Sequence, residues 1–278
     1  MTTKHPATTK PLCILHLYPN EMNLYGDHGN ILTLKKRCEW RNIPVEILTY
    51  ELGEAFPDPS NIDIIFGGGG QDSGQSKIAA DLLKIAPILK NAINAGTPTL
   101  VICGLYQLFG KAFHTADGNT LEGAAILDLE TTAGDTRLIG NITLKTAHFG
   151  TVVGYENHSG LTALNLPNGS QPSSLNSSKN RPASHSDTQP LLSPTLQPFG
   201  TVVKGAGNNN TDQTEGAIYK NCIATYLHGP LLPKNPKIAD FLIETALARR
   251  STNATPSLTP LDDALELQAK DTALSRPR

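Results

Sequence analysis

The sequence predicts an α/β fold: a doubly wound, mostly parallel sheet with an antiparallel extension. Two observations predict it. Up to residue 103, short apolar strands alternate with amphipathic helices, an order typical of parallel sheets joined by crossover helices. After residue 110 the pattern changes to strand-like segments with short connections, which favours antiparallel pairing. The 278 residues suffice for one large α/β domain, or two small ones, with a sizeable core.

Each element follows from its local pattern. The predicted strands are short apolar runs, at 12–17, 45–51, 62–66, 98–102 and 222–227. The predicted helices carry apolar residues at helical spacing, at about 30–41, 76–95 and 236–249. The extension is predicted from strand-like segments at 137–144 and 149–155. Together these elements indicate one domain over 12–249.

Two polar stretches differ from this domain in composition. Residues 168–198 are rich in Ser, Pro, Asn and Gln and contain few large apolar groups. Such a segment buries too little surface to offset its ordering entropy, so we expect a mobile surface insertion. Residues 250–278 are predicted to be a polar linker and a short terminal helix. In that helix Thr259 would be the N-cap and Pro260 the first helical residue.

Composition excludes several functional classes. The net charge is −2, whereas nucleic acids and anionic membranes require a dense basic surface. No apolar run approaches the ~20 residues that span a bilayer. The first ten residues lack the apolar stretch of a signal peptide. We therefore expect a cytoplasmic location.

Cys103 is the first candidate for chemistry. It ends the strand at 98–102 and is followed by Gly104 and a helix-like stretch, 105–110. Strand, sharp turn and helix form the geometry of a nucleophile elbow. A helix N-terminus beside the sulfur lowers a thiol pKa, and the Gly104 N–H can point at a developing oxyanion. A buried structural cysteine at the end of a strand explains the same spacing equally well.

The other three cysteines have structural explanations. Cys13 and Cys222 lie in apolar, strand-like runs, and Cys38 lies on a helical pattern. Cysteine behaves as a small hydrophobic residue in such places. No pair has a C-x-x-C spacing, and a cytosolic chain would not hold structural disulfides.

A glycine run, Gly67 to Gly70, follows the strand at 62–66. Open α/β sheets bind ligands at the carboxyl edge, where glycines let the backbone approach a ligand. A second oxyanion donor is the functional interpretation, and a plain strand-to-helix turn is the alternative. Residues 69–76 nearly fit a phosphate-binding loop, but Gln75 replaces its lysine, so we exclude nucleotide binding here.

A cysteine nucleophile needs a base, and the chain has eight histidines. His228 ends the strand at 222–227, at the same sheet edge as Cys103. His158 is the main alternative, because its position alone does not exclude it. The others are a predicted core residue (His16), a surface or interface residue (His28) and four without supporting context (His5, His114, His148 and His185).

At this point the chain resembles a known family. Class I glutamine amidotransferase domains carry a cysteine elbow after a strand, a glycine-rich oxyanion strand before it and a late histidine. The more specific resemblance, within the CobB/CobQ-like branch, is to GatD-type glutaminase subunits of lipid II isoglutaminyl synthase. It covers most of residues 12–245 through six segments: NLYGDHGN (23–30), FGGGGQD (66–72), ICGLYQLFG (102–110), LEGAAILD (121–128), VGYENHSG (153–160) and TYLHGPLLPKN (225–235).

The resemblance implies a flavodoxin-like core and assigns roles to six residues. Cys103 would be the nucleophile and His228 the base. Arg137 occupies the position of an arginine that assists glutamine binding, and a guanidinium can hold an α-carboxylate with two hydrogen bonds. Gln107 resembles the glutamine of the elbow helix that lines the pocket. The oxyanion would be held by backbone N–H groups of two glycines, Gly69 and Gly104.

The implied activity is hydrolysis of L-glutamine to glutamate and ammonia, with no metal and no cofactor in this chain. The ammonia would pass to a MurT-type Mur ligase in a heterodimer. That partner would spend ATP to amidate the α-carboxyl of D-glutamate in membrane-linked lipid II to D-isoglutamine, a step of peptidoglycan synthesis. The alternatives are a glutaminase for amidation in cobalamin synthesis, a non-catalytic cysteine-elbow protein and a cysteine hydrolase acting on peptides.

The chain departs from the family pattern at two positions. Many class I domains have a glutamate two residues after the histidine, where this chain has Pro230. The third catalytic residue is therefore missing or comes from elsewhere. The elbow also reads Cys-Gly-Leu where the family often has Cys-Gly-Gly. Leu105 is thus expected either to narrow the pocket or to be accommodated on the helix.

Overall fold

The structure is a computed structural model that describes residues 10–23, 26–166, 193, 195–251 and 257–277. Its strands are β1 (Leu12–Leu17), β2 (Val45–Tyr50), β3 (Ile64–Gly67), β4 (Thr99–Ile102), β5 (Ala112–His114), β6 (Thr120–Glu122), β7 (Leu129–Thr146), β8 (Gly150–Leu164), β9 (Gly200–Lys204), β10 (Thr214–Glu215), β11 (Ala217–Tyr219) and β12 (Cys222–Thr225). Its α-helices are α1 (His28–Glu39), α2 (Asp72–Asn94), α3 (Gly104–Leu108), α4 (Pro236–Arg250) and α5 (Ala264–Ser275).

The first sheet confirms the predicted α/β core. Its order is β11-β12-β4-β3-β1-β2, and all neighbours are parallel except the edge strand β11. The five parallel strands have the order 2-1-3-4-5 of a flavodoxin-like sheet. Strands β1, β3, β4 and β12 are fully buried, which explains their continuous apolar sequences.

The strand register brings three loops to one edge of this sheet. Gly67 at the end of β3 lies opposite Val101, and Thr225 at the end of β12 lies opposite Ile102. The carboxyl ends of β3, β4 and β12 are therefore nearly level. The segments that follow these strands, which carry the glycine run, the elbow and His228, converge there.

The predicted antiparallel part forms a second sheet, in which β5 pairs with β7 in parallel. It has the order β10-β9-β7-β5-β6, with β8 paired to β7. The predicted segments 137–144 and 149–155 belong to the long β7–β8 hairpin, whose register is irregular between Ala133 and Leu138. The two sheets meet through an isolated bridge between Tyr155 and His228.

The C-terminal helix begins later than predicted. Thr259 is not its N-cap, because α5 starts at Ala264 with Asp263 at the N-cap position. The Thr259 carbonyl instead accepts a hydrogen bond from the Arg41 side chain at 2.8 Å. The predicted insertion at 168–198 lies outside the described residues except for 193 and 195–198, as does 252–256 of the linker. None of the helices described has the length and apolar character needed to cross a bilayer.

A buried arginine fastens the C-terminal segment to the domain. Arg37 on α1 is 1% exposed. It donates at 2.7 Å to Asp240 on α4 and at 2.6 Å to Asp263 in front of α5. Because a buried guanidinium needs acceptors for its donors, these two carboxylates fix α4 and the start of α5 against α1.

Candidate active site

Cys103 has the strained backbone of a nucleophile elbow. It lies between β4 and α3 with φ 49° and ψ −101°, a conformation that side-chain-bearing residues rarely adopt. The Cys103 N–H donates to the Thr225 carbonyl at 2.8 Å, and its carbonyl accepts from Gln107 N at 3.0 Å. These bonds to the neighbouring strand and to the helix hold the strained turn. The thiol is 7% exposed and borders a cavity.

His228 is buried beside this elbow. Its backbone exchanges two hydrogen bonds with Tyr155 of β8, at 2.8 and 3.2 Å. Its ring lies beside the Cys103 side chain, since a Cβ on Gly69 would lie 2.6 Å from His228 Cε1 and 3.1 Å from Cys103 Cβ. Its Nδ1 lies 3.2 Å from both carboxylate oxygens of Asp27. The structure therefore joins Cys103, His228 and Asp27 in one array, and this geometry favours His228 over His158 as the base.

Asp27 is the residue that the sequence alone did not identify. It is fully buried at the start of α1, and its Oδ2 also accepts the Gly69 N–H at 2.7 Å. It lies 201 positions before His228, so no local spacing relates the two. The only available signal was its place within the segment at 23–30.

The start of α1 is docked against the chain that follows His228. A Cβ on Gly29 would lie 2.6 Å from the Pro230 ring, so the glycine permits close contact there. The Asn30 side chain accepts the Leu232 N–H at 2.9 Å. Pro230 thus helps to seat the segment that carries Asp27.

Charge within the array favours a protonated imidazole. Burial by itself would lower the pKa of His228, but a negative charge on Cys103 and the contact with the Asp27 carboxylate outweigh it and raise that pKa. A carboxylate only accepts, so Asp27 also fixes the proton on Nδ1. The arrangement therefore favours the protonated form of His228.

The glycine run differs in detail from the prediction. The Gly69 N–H, predicted to hold an oxyanion, is directed at Asp27, and Gly69 does not border the cavity. Gly70 does border it, and its N lies 2.9 Å from where a Cβ on Gly104 would be. Gly104 begins α3, where backbone N–H groups lack intrahelical acceptors. Gly70 is therefore better placed than Gly69 to donate beside Gly104.

Leu105 does not narrow the cavity. It is fully buried and packs under the glycine run: a Cβ on Gly67 would lie 2.2 Å from its Cδ1. The absence of a side chain at Gly67 thus provides the space for Leu105 on α3. The Cys-Gly-Leu elbow is accommodated within the core.

A cavity of about 320 Å³ lies beside the thiol, a size suited to a small molecule. Among the residues singled out from the sequence, its lining includes Cys103, Gln107, Arg137 and His158. Arg137 lies in the irregular part of β7, is exposed, and donates through Nε to Asn157 Oδ1 at 2.5 Å. It places a positive charge at the solvent side of the cavity.

Gln107 is fixed within the cavity wall. Its Oε1 accepts from Gln75 Nε2 at 2.7 Å, and its Nε2 donates to the Tyr226 hydroxyl at 3.1 Å. Tyr226 in turn bonds the Thr162 hydroxyl at 2.6 Å. With both ends of its amide used by the protein, Gln107 shapes and stiffens the wall.

The remaining cysteines and histidines lie away from this array. Cys13, Cys38 and Cys222 are buried, and burial raises the pKa of each thiol. His16 is buried against Phe66, as expected for a core residue, whereas His28 and His148 are exposed and His114 is half-buried. His5 and His185 lie outside the described residues.

Known proteins share this sequence and fold. The CobB/CobQ-like glutamine amidotransferase domain matches residues 13–236. The chain is 39% identical, over 95% of its length and 96% of the relative's, to "Lipid II isoglutaminyl synthase (glutamine-hydrolyzing) subunit GatD" of Staphylococcus aureus (strain N315). It is 37% identical, over 86% of its length and 82% of the relative's, to the protein of that name from Streptococcus pneumoniae (strain ATCC BAA-255 / R6).

Among solved structures, a chain of PurLQS from Thermotoga maritima matches with a TM-score of 0.52 at 14% identity, over 87% of this chain and 100% of that one. At that identity the likeness shows a shared fold. The match to the domain and the identity to full-length relatives go further, because they extend over the elbow, the glycine run and His228. The chain belongs to the CobB/CobQ-like glutamine amidotransferase family.

Proposed function

We propose that this chain hydrolyses L-glutamine to glutamate and ammonia as the glutaminase subunit of a lipid II isoglutaminyl synthase. The array of Cys103, His228 and Asp27 at a strained elbow, in which Asp27 hydrogen-bonds His228, carries this proposal. It opens onto a cavity with an arginine at its solvent side. The names of the two relatives describe the same activity.

Glutamine binds with its carboxamide at the thiol and its α-carboxylate at Arg137. The guanidinium offers the paired donors that a carboxylate accepts, and Asn157 orients it through its Nε. Gln107 lines the space between them. The two ends of the substrate are thus matched by a nucleophile and a cation at opposite parts of one cavity.

The first half of the reaction forms a thioester. The Cys103 thiolate attacks the carboxamide carbon, and the N–H groups of Gly104 and Gly70 stabilise the oxyanion. His228 donates its proton to the departing nitrogen, the C–N bond breaks, and ammonia leaves. A γ-glutamyl group then remains on the sulfur, and His228 is neutral.

The second half releases glutamate. Neutral His228 takes a proton from water, whose oxygen attacks the thioester carbon. The C–S bond breaks, and the thiolate and the imidazolium are restored. Asp27 keeps the imidazole in one tautomer and orientation through both halves, as the third member of such arrays does.

The ammonia is used by a partner. We propose a MurT-type Mur ligase that spends ATP to amidate the α-carboxyl of D-glutamate in lipid II, giving D-isoglutamine for peptidoglycan. In this proposal ATP binds only to the ligase, this chain needs no metal or cofactor, and the complex works in the cytoplasm at the face of the membrane that carries lipid II.

The test separates ammonia production from ammonia use. The chain, alone and with the ligase subunit from the same organism, is assayed for ammonia release from glutamine and for amidation of lipid II. Cys103→Ala should abolish both glutamine-dependent reactions, yet the complex should still amidate lipid II when ammonium is supplied. Cys13→Ala, which changes a cysteine away from the site, is the matched control. Ammonia release by Cys103→Ala at the unsubstituted rate would refute the proposal.

A further inference from the structure

His158 presents an acceptor for which the described residues provide no donor. The side chain is 3% exposed, and its ring stacks on Tyr226 with centroids 3.6 Å apart and planes at 5°. Its Nδ1 lies 2.8 Å from the Gly160 carbonyl oxygen. Since a carbonyl only accepts, Nδ1 carries the proton, and in the neutral ring Nε2 carries a lone pair.

The ring is neutral at physiological pH. Burial lowers the pKa of His158 to about 4 against the opposing hydrogen bond to Gly160, and the charges of His228 and Arg137 lower it further. Within the described part of the chain, Nε2 is buried without a hydrogen-bond partner. Because leaving a buried acceptor unpaired is unfavourable, a ligand that donates a hydrogen bond to it would be favoured.

The position of the ring indicates which donor this is. His158 lines the same cavity as Cys103, and the Tyr226 ring on which it stacks is close enough to Cys103 for the thiolate charge to raise the tyrosine pKa. Tyr226 directly follows Thr225, whose carbonyl accepts the Cys103 N–H, and its hydroxyl accepts a hydrogen bond from Gln107 at 3.1 Å. The ring of His158 is thus connected through Tyr226 to the elbow that carries the reacting sulfur.

We propose that Nε2 of His158 accepts a hydrogen bond from the carboxamide NH₂ of glutamine, and that this contact makes the site select an amide over an ester or an acid. The inference rests on the proposed glutaminase activity. An ester or carboxylate places an oxygen where the amide places its NH₂, and that oxygen has no proton to donate. A site built to pair with an N–H discriminates against such analogues, because the buried partner is left unpaired.

The experiment compares two substrates that differ only at the reacting group. L-glutamine and L-glutamate γ-methyl ester have the same α-substituents and the same attacked carbonyl, but the ester lacks the N–H. Formation of glutamate is measured for both with the complete complex. His158→Phe keeps a ring to stack on Tyr226 and removes the lone pair; His158→Leu serves as the second variant if the first does not fold, as judged by thermal unfolding.

In the folded variant, the ratio of kcat/KM for glutamine to kcat/KM for the ester should fall by about tenfold, the effect of one buried hydrogen bond. Arg137→Ala is the matched control, since loss of the α-carboxylate contact should reduce kcat/KM for both substrates alike and leave the ratio unchanged. An unchanged ratio in the His158 variants overturns the inference. If that unchanged ratio comes with an equal loss of kcat/KM for both substrates, the His158 acceptor binds the α-ammonium group and not the carboxamide. A wild-type complex that releases no ammonia would refute the glutaminase proposal itself.

Discussion

Asp27→Asn is the substitution that tests the active-site array most directly. The fully buried carboxylate accepts from His228 Nδ1 at 3.2 Å and from the Gly69 N–H at 2.7 Å. Asparagine has nearly the same shape but offers one oxygen acceptor and one NH₂ donor. With its oxygen in the Oδ2 position it can still accept from Gly69 and His228, but its NH₂ group then takes the Oδ1 position, 3.2 Å from Nδ1. That NH₂ group either faces the Nδ1–H donor or forces the opposite imidazole tautomer.

The contacts set the size of the expected loss. Losing a charge-assisted hydrogen bond costs about 1.5–3 kcal/mol, which is roughly ten- to hundredfold in rate. Reversal of the imidazole tautomer raises the loss to about 10⁴-fold, the effect of the corresponding change in a serine protease. We therefore expect kcat for ammonia release to fall by about 10²- to 10⁴-fold, with a smaller change in KM because Asp27 does not line the cavity.

The assay is glutamine-dependent ammonia release by the complex, with thermal unfolding to verify the fold. Asp58→Asn makes the same chemical change at an exposed carboxylate that accepts from Ser60, and it should leave kcat unaltered. The decisive comparison is between these two variants, because they share the loss of one negative charge. Only the loss at Asp27 changes a partner of His228.

The pH profile gives a second, independent measurement. Asp27 contributes to the raised pKa of His228, and the first half of the reaction needs the imidazolium. Activity therefore persists as pH rises until the raised pKa is passed, and Asp27→Asn should move this alkaline limit to lower pH. A variant with kcat within about threefold of the wild type and an unmoved alkaline limit would refute an orienting role for Asp27.

Three further predictions concern the surroundings of the array. Gly69→Ala places a Cβ 2.6 Å from His228 Cε1 and should lower kcat by about a hundredfold or more; normal ammonia release would contradict this contact. Burial raises the pKa of Glu215 to about 8, so the folded state holds a proton that the unfolded state releases. The unfolding temperature of the wild type should therefore decrease as the pH rises from about 5 to 8, and Glu215→Gln should make this decrease smaller. An equal decrease in the two proteins would contradict the buried acid. Arg37→Met leaves Asp263 without its ion-pair partner and Asp240 paired only with Arg41, and it should lower the free energy of unfolding by about 2–4 kcal/mol in urea titrations. Lys35→Met on the same helix should hardly change it; equal effects would contradict the buried ion pair.

The elbow, the glycine run and His228 could be predicted because each follows a buried strand. The carboxyl ends of neighbouring parallel strands meet at one edge, so three separate sequence positions could be placed together without knowledge of any side-chain contact. Apolar runs also identified the strands themselves. The physical information needed for this part of the site was therefore local to each strand.

The other features of the site, and the start of the last helix, depend on contacts between distant residues that local sequence patterns do not encode. Asp27 lies in a polar loop, and its partner is 201 residues away. The direction of the Gly69 N–H depends on the backbone dihedral angles of a glycine, which the sequence leaves free. Thr259 and Pro260 have the right residue types to begin a helix, yet the bond from Arg41 to the Thr259 carbonyl holds this stretch outside α5.

The proposed third catalytic residue, Asp27, comes from a segment far from His228 in the sequence, and this changes how the His228 side chain is held. A glutamate two residues after a histidine would move with it, so base and orienting group would share one segment. Here the carboxylate belongs to α1, and it reaches His228 only while the start of that helix is docked on the chain after the histidine. The Gly29–Pro230 contact and the bond from Leu232 to Asn30 provide that docking. The same carboxylate also binds Gly69, so one buried group couples the position of the base to that of the glycine run beside the thiol. A proline is compatible with this arrangement because its ring fills the space that Gly29 leaves open.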